Sequence, residues 1–280
     1  MRIPDSNIEI INPNVRLGQI RFGVFDFDGT LSVIREGWPE VMIPMMVDVL
    51  METPRHESRE EIHAVVKEFV ERLTGKQTIY QMLELVEEIK KRGGTPADPL
   101  VYKQRYLDLL WERICKRVYD LEEGGTDPDD RLIMGARRFL DGLTARGVKL
   151  FLASGTDDDA VQRESRALKV DKYFKGGIYG ALPNWTDFSK KKLIAKIISD
   201  NKLSGPELFV VGDGFVEIEE GHNVGAVTIA LPTNEVARCG EDAWKRNRLV
   251  RAGADLVAPD FTCADKLLGL LFGDIKPPKS

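Results

Sequence analysis

From residue 128 onward, short apolar runs alternate with stretches whose apolar residues recur at helical spacing. The runs at 148–153, 208–211, 227–231 and 256–258 predict strands, and 177–180 suits a short strand or turn. Between them, 130–146 (closed by Gly147), 157–168, 189–200, 216–221, 235–248 and 263–271 predict helices. An apolar stretch at 21–27 predicts a further strand near the start, with an extra strand or hairpin over 7–20 before it. The tail at Pro277 and Pro278 is expected to fray. Strands alternating with helices imply an α/β fold on a doubly wound parallel sheet. Ligands bind such sheets beyond the carboxyl ends of the strands.

Residues 32–127 break this alternation. Helical patterns fill 39–52, 59–73, 77–92 and 99–121, with Gly93-Gly94 ending the third and Glu122-Glu123-Gly124-Gly125 following the fourth. The 59–73 stretch carries Ile62, Val65, Val66, Phe69, Val70 and Leu73 on one face. The division expected is a core of 1–34 and 128–280, with an all-helical cap domain inserted at 35–127. Such an insertion leaves from the carboxyl end of the first long strand, so it sits over the expected ligand site.

Composition narrows the function classes. The 280 residues are 42% hydrophobic and 30% charged, with a net charge of −5. That balance implies no basic face for nucleic acid. The basic clusters Lys190-Lys191-Lys192 and Lys245-Arg246-Asn247-Arg248 are short and read as solvated helix faces. No apolar run reaches membrane-spanning length. Residues 1–14 lack the basic start and apolar core of a signal peptide. Cys115, Cys239 and Cys263 are far apart and odd in number, which fits free thiols in the cytoplasm. His56, His63 and His222 suggest no zinc site.

The sharpest chemical signal is Val24-Phe25-Asp26-Phe27-Asp28-Gly29-Thr30-Leu31. Residues two apart on a strand point the same way. Asp26 and Asp28 therefore leave the strand end into one small volume. Two like charges about 4 Å apart repel by roughly 4 kcal/mol at an effective dielectric near 20. A divalent cation or a shared proton removes that cost. Gly29 permits the sharp turn, and Thr30 adds a hydroxyl and an amide.

The apolar lead-in, the acid pair and the Gly-Thr-Leu that follows resemble the first motif of the haloacid dehalogenase-like hydrolase superfamily. The resemblance implies that Asp26 is a nucleophile and Asp28 an acid/base. The dehalogenases lack the second Asp, so its presence points to phosphoryl chemistry. Three more stretches follow in the superfamily's order. Leu150-Phe151-Leu152-Ala153-Ser154-Gly155-Thr156 ends a strand before a helix, where a hydroxyl and free amides suit a phosphoryl oxygen. Ser154 and Gly155, with Thr30, are the substrate-binding candidates. Ser189-Lys190-Lys191-Lys192 supplies the cation the family needs. Lys190 precedes Leu193, Ile194 and Ile197 at helical spacing and so shares their inward face, with Lys191 as the alternative. Phe209-Val210-Val211-Gly212-Asp213-Gly214-Phe215-Val216-Glu217 resembles the last acidic motif, with Glu217 where the commoner pattern has Asp. The resemblance covers roughly residues 20–34 and 130–270.

Oxygen-only ligands suit Mg²⁺. The resemblance implies metal binding by the side chains of Asp26 and Asp213 and the backbone carbonyl of Asp28, with Glu217 as a further candidate. The expected activity is a Mg²⁺-dependent phosphatase that hydrolyses a small phosphorylated metabolite, a sugar phosphate or phosphoglycolate-like compound, through an aspartyl phosphate. The alternatives are a phosphomutase acting on a sugar phosphate and a non-catalytic phosphate-binding regulator. A phosphonate hydrolase needs a Schiff-base lysine in the cap, for which Lys67 and Lys76 are the candidates. In the helical insertion, residues 74–78 read as a specificity loop. Trp38, Met42, Met45 and Met46 read as core packing or an apolar wall, and Arg35 and Glu36 as substrate contacts or a solvated linker.

Overall fold

The computed structural model describes residues 1–276 apart from Pro183, Trp185 and Phe188. The tail containing Pro277 and Pro278 lies outside the described residues. Among the described residues, seven strands form one sheet in the order β1-β7-β6-β5-β2-β3-β4. They are β1 (Glu9–Ile10), β2 (Phe22–Phe25), β3 (Lys149–Asp157), β4 (Gly177–Ala181), β5 (Leu208–Gly212), β6 (Val227–Ala230) and β7 (Leu256–Val257). All neighbours run parallel except β1, which pairs antiparallel with β7 at the sheet's edge. The fold is α/β, as the alternating pattern implies.

Alternation along the central strands decides which helix covers which face. Phe22 and Val24 of β2 join Phe151, Leu208 and Val210 beneath Leu193, Ile194 and Ile197 of α7 (Lys190–Asn201). Phe25 faces the other way. Its ring packs 5.5 Å from Phe209 and 6.0 Å from Phe139 of α5 (Ala136–Ala145), and Phe139 stacks on Phe261 at 4.9 Å. Gly23 makes room for this cluster, because a Cβ there would lie 2.3 Å from the Phe209 ring. Both faces are covered, so β2 is buried along its whole length.

Four helices follow β2: α1 (Pro39–Met51), α2 (Arg59–Leu73), α3 (Ile79–Lys91) and α4 (Pro99–Glu122), with no strand among the described residues of this stretch. Ser58 and Glu61 cap α2 reciprocally, and Asp98 caps α4. Met42, Met45, Met46, Phe69, Leu110 and Ile114 are buried together in this segment's core. Core packing is thus the fate of Met45 and Met46, while Trp38 and Met42 also reach a cavity wall.

The extra strand expected over 7–20 is the two-residue β1. Two local expectations need correction. Over 130–146, the helix begins only at Ala136, after a short 3₁₀ turn (Pro128–Arg131) and Gly135 at φ +82°. A Cβ at Gly135 would meet the Phe261 carbonyl oxygen at 2.0 Å, so glycine is required there. Over 235–248, α9 (Ala243–Arg251) starts late, where the Asp242 carboxylate accepts from the Lys245 amide at 3.0 Å. The residues before it form a loop closed by the Thr233–Glu241 bridge. The remaining helices are α6 (Asp158–Ala167), α8 (Phe215–Asn223) and α10 (Ala264–Leu271).

The substitution Phe209→Ala, which empties the centre of the aromatic cluster, is expected to lower the unfolding free energy by about 3–5 kcal/mol. Chemical denaturation followed by circular dichroism measures the shift. An unchanged midpoint contradicts the packing described.

Candidate active site

Strand register brings the acidic motifs together. Phe25 lies beside Leu152 of β3 and Val211 of β5. The residues that follow each of them, Asp26, Ser154 and Asp213, therefore emerge at the same end of the sheet. Asp26 is only 7% exposed, and its amide donates to the Val211 carbonyl at 3.0 Å.

Lys190 is buried at the first turn of α7, with Nζ 2.9 Å from Asp26 Oδ1 and 2.9 Å from Glu217 Oε2. Glu217 is 1% exposed, and its Oε1 accepts from the Gly214 amide at 2.7 Å at the start of α8. It is therefore no surface helix acid. Carboxylate oxygens of Asp26, Asp213 and Glu217 all lie within 4.8 Å of one another. Two glycines permit this crowding. A Cβ on Gly29 (φ +72°) would lie 2.3 Å from Asp213 Oδ2, and one on Gly212 would lie 2.2 Å from Glu217 Oε1.

Asp28 faces a different set of partners. Its Oδ2 accepts from Thr156 Oγ1 at 2.7 Å and from Ser154 Oγ at 3.3 Å. Its Oδ1 is buried without a hydrogen bond from the described residues, 3.8 Å from Arg35 Nε. Arg35 in turn grips the buried Glu164 of α6 through Nη2 at 2.7 Å and Nε at 3.1 Å. Arg35 is thus a buried link to α6 as well as part of the cavity lining, and Glu36 pairs with Arg117 of α4 at 3.3 Å. The side chain of Asp28 stands apart from the trio that Asp26 joins.

Thr30 occupies a place its sequence position does not reveal. It is fully buried and absent from the cavity lining. Its hydroxyl accepts from the Asp213 amide at 3.0 Å and donates to Asp213 Oδ1 at 3.4 Å. Thr30 therefore holds the β5 end in place, with its hydroxyl turned to Asp213. Ser154 and Gly155 do line the cavity. Lys67 and Lys76 line it too, and both are exposed, Lys67 beside Glu71 at 3.8 Å.

The basic cluster at 245–248 is not the solvated face its composition suggests. Lys245 Nζ lies 2.7 Å from Asp213 Oδ2 and 2.6 Å from Glu235 Oε1, with its side chain 13% exposed. The late start of α9 turns this lysine inward. Spacing within the cluster carries no sign of it, because Glu235 arrives on a loop that looks helical in sequence. Thr156 was within reach of sequence reasoning. It is two residues from Ser154, so a strand continued through Asp157 puts both hydroxyls on one face.

Electrostatics follow from burial. Desolvation, reinforced by Glu217 and Asp213, outweighs Lys190 and holds the Asp26 carboxyl well above its ordinary range. Desolvation also pushes Asp28 up to about 6, against the opposing pull of Arg35. Burial disfavours the Lys190 and Lys245 ammonium groups, yet their paired carboxylates win, and both sit above the usual lysine range. Four carboxylates, Asp26, Asp213, Glu217 and Glu235, share two ammonium groups in direct ion pairs. A divalent cation balances the excess, and hard carboxylate oxygens suit Mg²⁺. Asp26 and Asp213 fit it best, since both line the cavity, whereas Glu217 is 1% exposed and lies outside the lining.

A cavity of about 370 Å³ opens above these groups. Asp26, Asp28, Ser154 and Lys190 line its floor, and Trp38, Met42 and Val70 of the helical segment line its far side. The 74–78 loop closes over it. A Cβ on Gly155 would lie 3.0 Å from the Lys76 carbonyl oxygen, and one on Gly75 would lie 3.1 Å from the Gly214 Cα.

A family model described as haloacid dehalogenase-like hydrolase matches residues 23–225, more than half of the chain. The chain belongs to that family. Solved structures share the fold at low identity. A predicted phosphoglycolate phosphatase from Haemophilus somnus aligns with TM-score 0.59 and 17% identity, over 89% of this chain and 98% of that one. A β-phosphoglucomutase from Clostridium difficile gives 0.61 and 12%, over 91% and 98%. A hydrolase of the same family from Deinococcus radiodurans, with bound phosphate and sodium, gives 0.53 and 19%, over 93% and 99%. No curated protein matches the chain in sequence.

Replacing Lys190 by Met strands two buried carboxylates, Asp26 and Glu217. The expected cost is about 3–5 kcal/mol of folding stability, read from denaturation midpoints of the metal-free protein. Wild-type stability in this variant contradicts the buried bridge.

Proposed function

We propose that the protein is a Mg²⁺-dependent phosphatase acting on a small phosphorylated metabolite, with residues 35–127 as a cap over a core formed by 1–34 and 128–280. One observation carries the reading: the Asp26 carboxylate is held against Lys190 at the floor of the cavity, while Asp28 stands beside it on separate partners. A nucleophile and a proton carrier are thereby kept two residues apart without sharing contacts. The phosphate bound to the Deinococcus relative and the phosphoglycolate phosphatase activity predicted for the Haemophilus one support the same class.

In the proposed reaction an Asp26 oxygen attacks phosphorus in line, and the bond to the departing oxygen breaks as that to Asp26 forms. Asp28 gives its proton to the departing oxygen. It then takes a proton from water as that water attacks the aspartyl phosphate and frees the Asp26 carboxylate. Lys190 and the hydroxyl of Ser154, with the Gly155 amide, offset charge on the transferring group. Asp26 and Asp213 side chains and the Asp28 carbonyl would hold Mg²⁺, which when bound supplies charge neutralisation at the phosphoryl oxygens. Glu217 acts by fixing Lys190, and Thr30 by fixing Asp213. Free thiols at Cys115, Cys239 and Cys263 support a cytoplasmic setting, and no described helix is long and apolar enough to cross a membrane.

A phosphomutase is the second reading, favoured by the 74–78 loop packed against Gly155 and Gly214 beside the cavity. Assay of a phosphate-ester panel with and without Mg²⁺ separates the two: inorganic phosphate released means hydrolysis, and an isomerised sugar phosphate means mutase. Asp26→Asn is expected to reduce turnover at least 10³-fold, or about 4 kcal/mol in barrier. A near-normal rate in that variant refutes the nucleophile. Without any turnover on the panel, the phosphate-binding regulator becomes the better reading.

Mg²⁺ at one hundred times its dissociation constant is expected to stabilise the native chain by about 2.7 kcal/mol. Thermal unfolding should move upward by several degrees, and Asp213→Asn should remove that response. Equal shifts in wild type and variant place the ion elsewhere.

A further inference from the structure

Beside the cavity, α9 sends a second cation toward the helical segment. Arg248 lies one turn beyond Lys245, on the same side of the helix. Its guanidinium donates to the carbonyls of Glu71 at 2.5 Å, Arg72 at 2.7 Å and Thr74 at 3.1 Å. These carbonyls lie at the C-terminal end of α2. The last carbonyls of a helix need donors from outside it, and the helix dipole puts negative partial charge there. The guanidinium also rests on two rings, 4.4 Å from the centre of Phe215 and 5.3 Å from that of Trp244.

The location gives this contact its meaning. Thr74 opens the loop whose Gly75 meets Gly214 and whose Lys76 carbonyl meets Gly155. Phe215, on which Arg248 rests, follows Gly214 directly. Lys245 fastens the same helix to Asp213. One helix thus touches the acidic trio at one point and the loop that closes over it at another. Lifting the loop breaks the charge-assisted hydrogen bond to the Thr74 carbonyl, and drawing the end of α2 away with it breaks those to Glu71 and Arg72 as well.

We propose that Arg248 is a positioning residue that latches the 74–78 loop over Asp26. The kinetic consequence rests on the phosphatase reading above; the structural one rests on the contacts alone. Whatever holds the loop shut keeps the reacting groups aligned and excludes water. The latch therefore acts on turnover more than on first encounter with substrate.

The test compares full-length Arg248→Ala, Arg248→Lys and, as a control at an exposed site one turn on, Arg251→Ala. Hydrogen exchange of the 74–78 amides is measured with steady-state hydrolysis of p-nitrophenyl phosphate. Arg248→Ala should speed loop exchange at least tenfold and lower kcat at least tenfold, with KM changed less than threefold. Arg248→Lys, which keeps the charge but not the fork of donors, should recover part of both, and Arg251→Ala should match wild type. Unchanged exchange overturns the latch. Faster exchange with wild-type kcat also overturns the positioning role, because the arginine then only braces α2. Should the wild-type chain hydrolyse nothing, the proposed function falls, and exchange alone still decides whether Arg248 holds the loop.

Discussion

The site depends on one ammonium group placed between two buried carboxylates. Lys190 reaches Asp26 and Glu217 at equal distance. Without that cation, burial would drive the acids to hold protons or the backbone to move apart. With it, Asp26 stays packed at the end of β2 while Glu217 pins the start of α8. The contact therefore joins three elements from distant parts of the chain, and the positions of Gly212, Gly214 and Asp213 follow from it. Lys245 repeats the solution on the other side, bridging Asp213 and Glu235.

Backbone geometry supplies the second half of the arrangement. Parallel strands in register end together, so polar residues placed just after them meet without help from long side chains. The helical segment leaves the sheet at that end and returns to β3 only after α4. Its contacts with the core lie on both sides of the cavity. Lys103 of α4 reaches Asp157 at 2.5 Å, Arg163 of α6 reaches Glu122 at 2.7 Å, and the α2 side meets α9. The exposed pairs among these contribute little each. Their value lies in direction, since they fix which face of the helical segment looks down on Asp26.

The parts legible in sequence were those governed by local periodicity. Strands β2, β3 and β5 announce themselves as apolar runs, and the inward face of α7 follows from the spacing of Leu193, Ile194 and Ile197. The four helices of the inserted segment were equally plain. What stayed hidden was set by contacts far along the chain. Over 235–248, helical spacing gave no sign of the loop that the Thr233–Glu241 bridge imposes, and so Lys245 looked solvated. The burial of Arg35 left no mark because its partner Glu164 lies more than a hundred residues away. Thr30 seemed free for a ligand because nothing nearby in sequence shows that the Asp213 amide claims its hydroxyl.

The pairing of β2 with β3 and β5 has a further consequence, for the order in which the molecule comes into being. Phe22 must find Lys149 and Leu208, both far downstream, whereas α1 to α4 are linked by short connections. Contacts of long sequence separation form slowly, and local ones quickly. As the polypeptide leaves the ribosome, α1 to α4 are all present before either partner of β2 exists. The floor of the cavity is therefore the last part to be complete, since it needs residues as far along as Asp213 and Lys245.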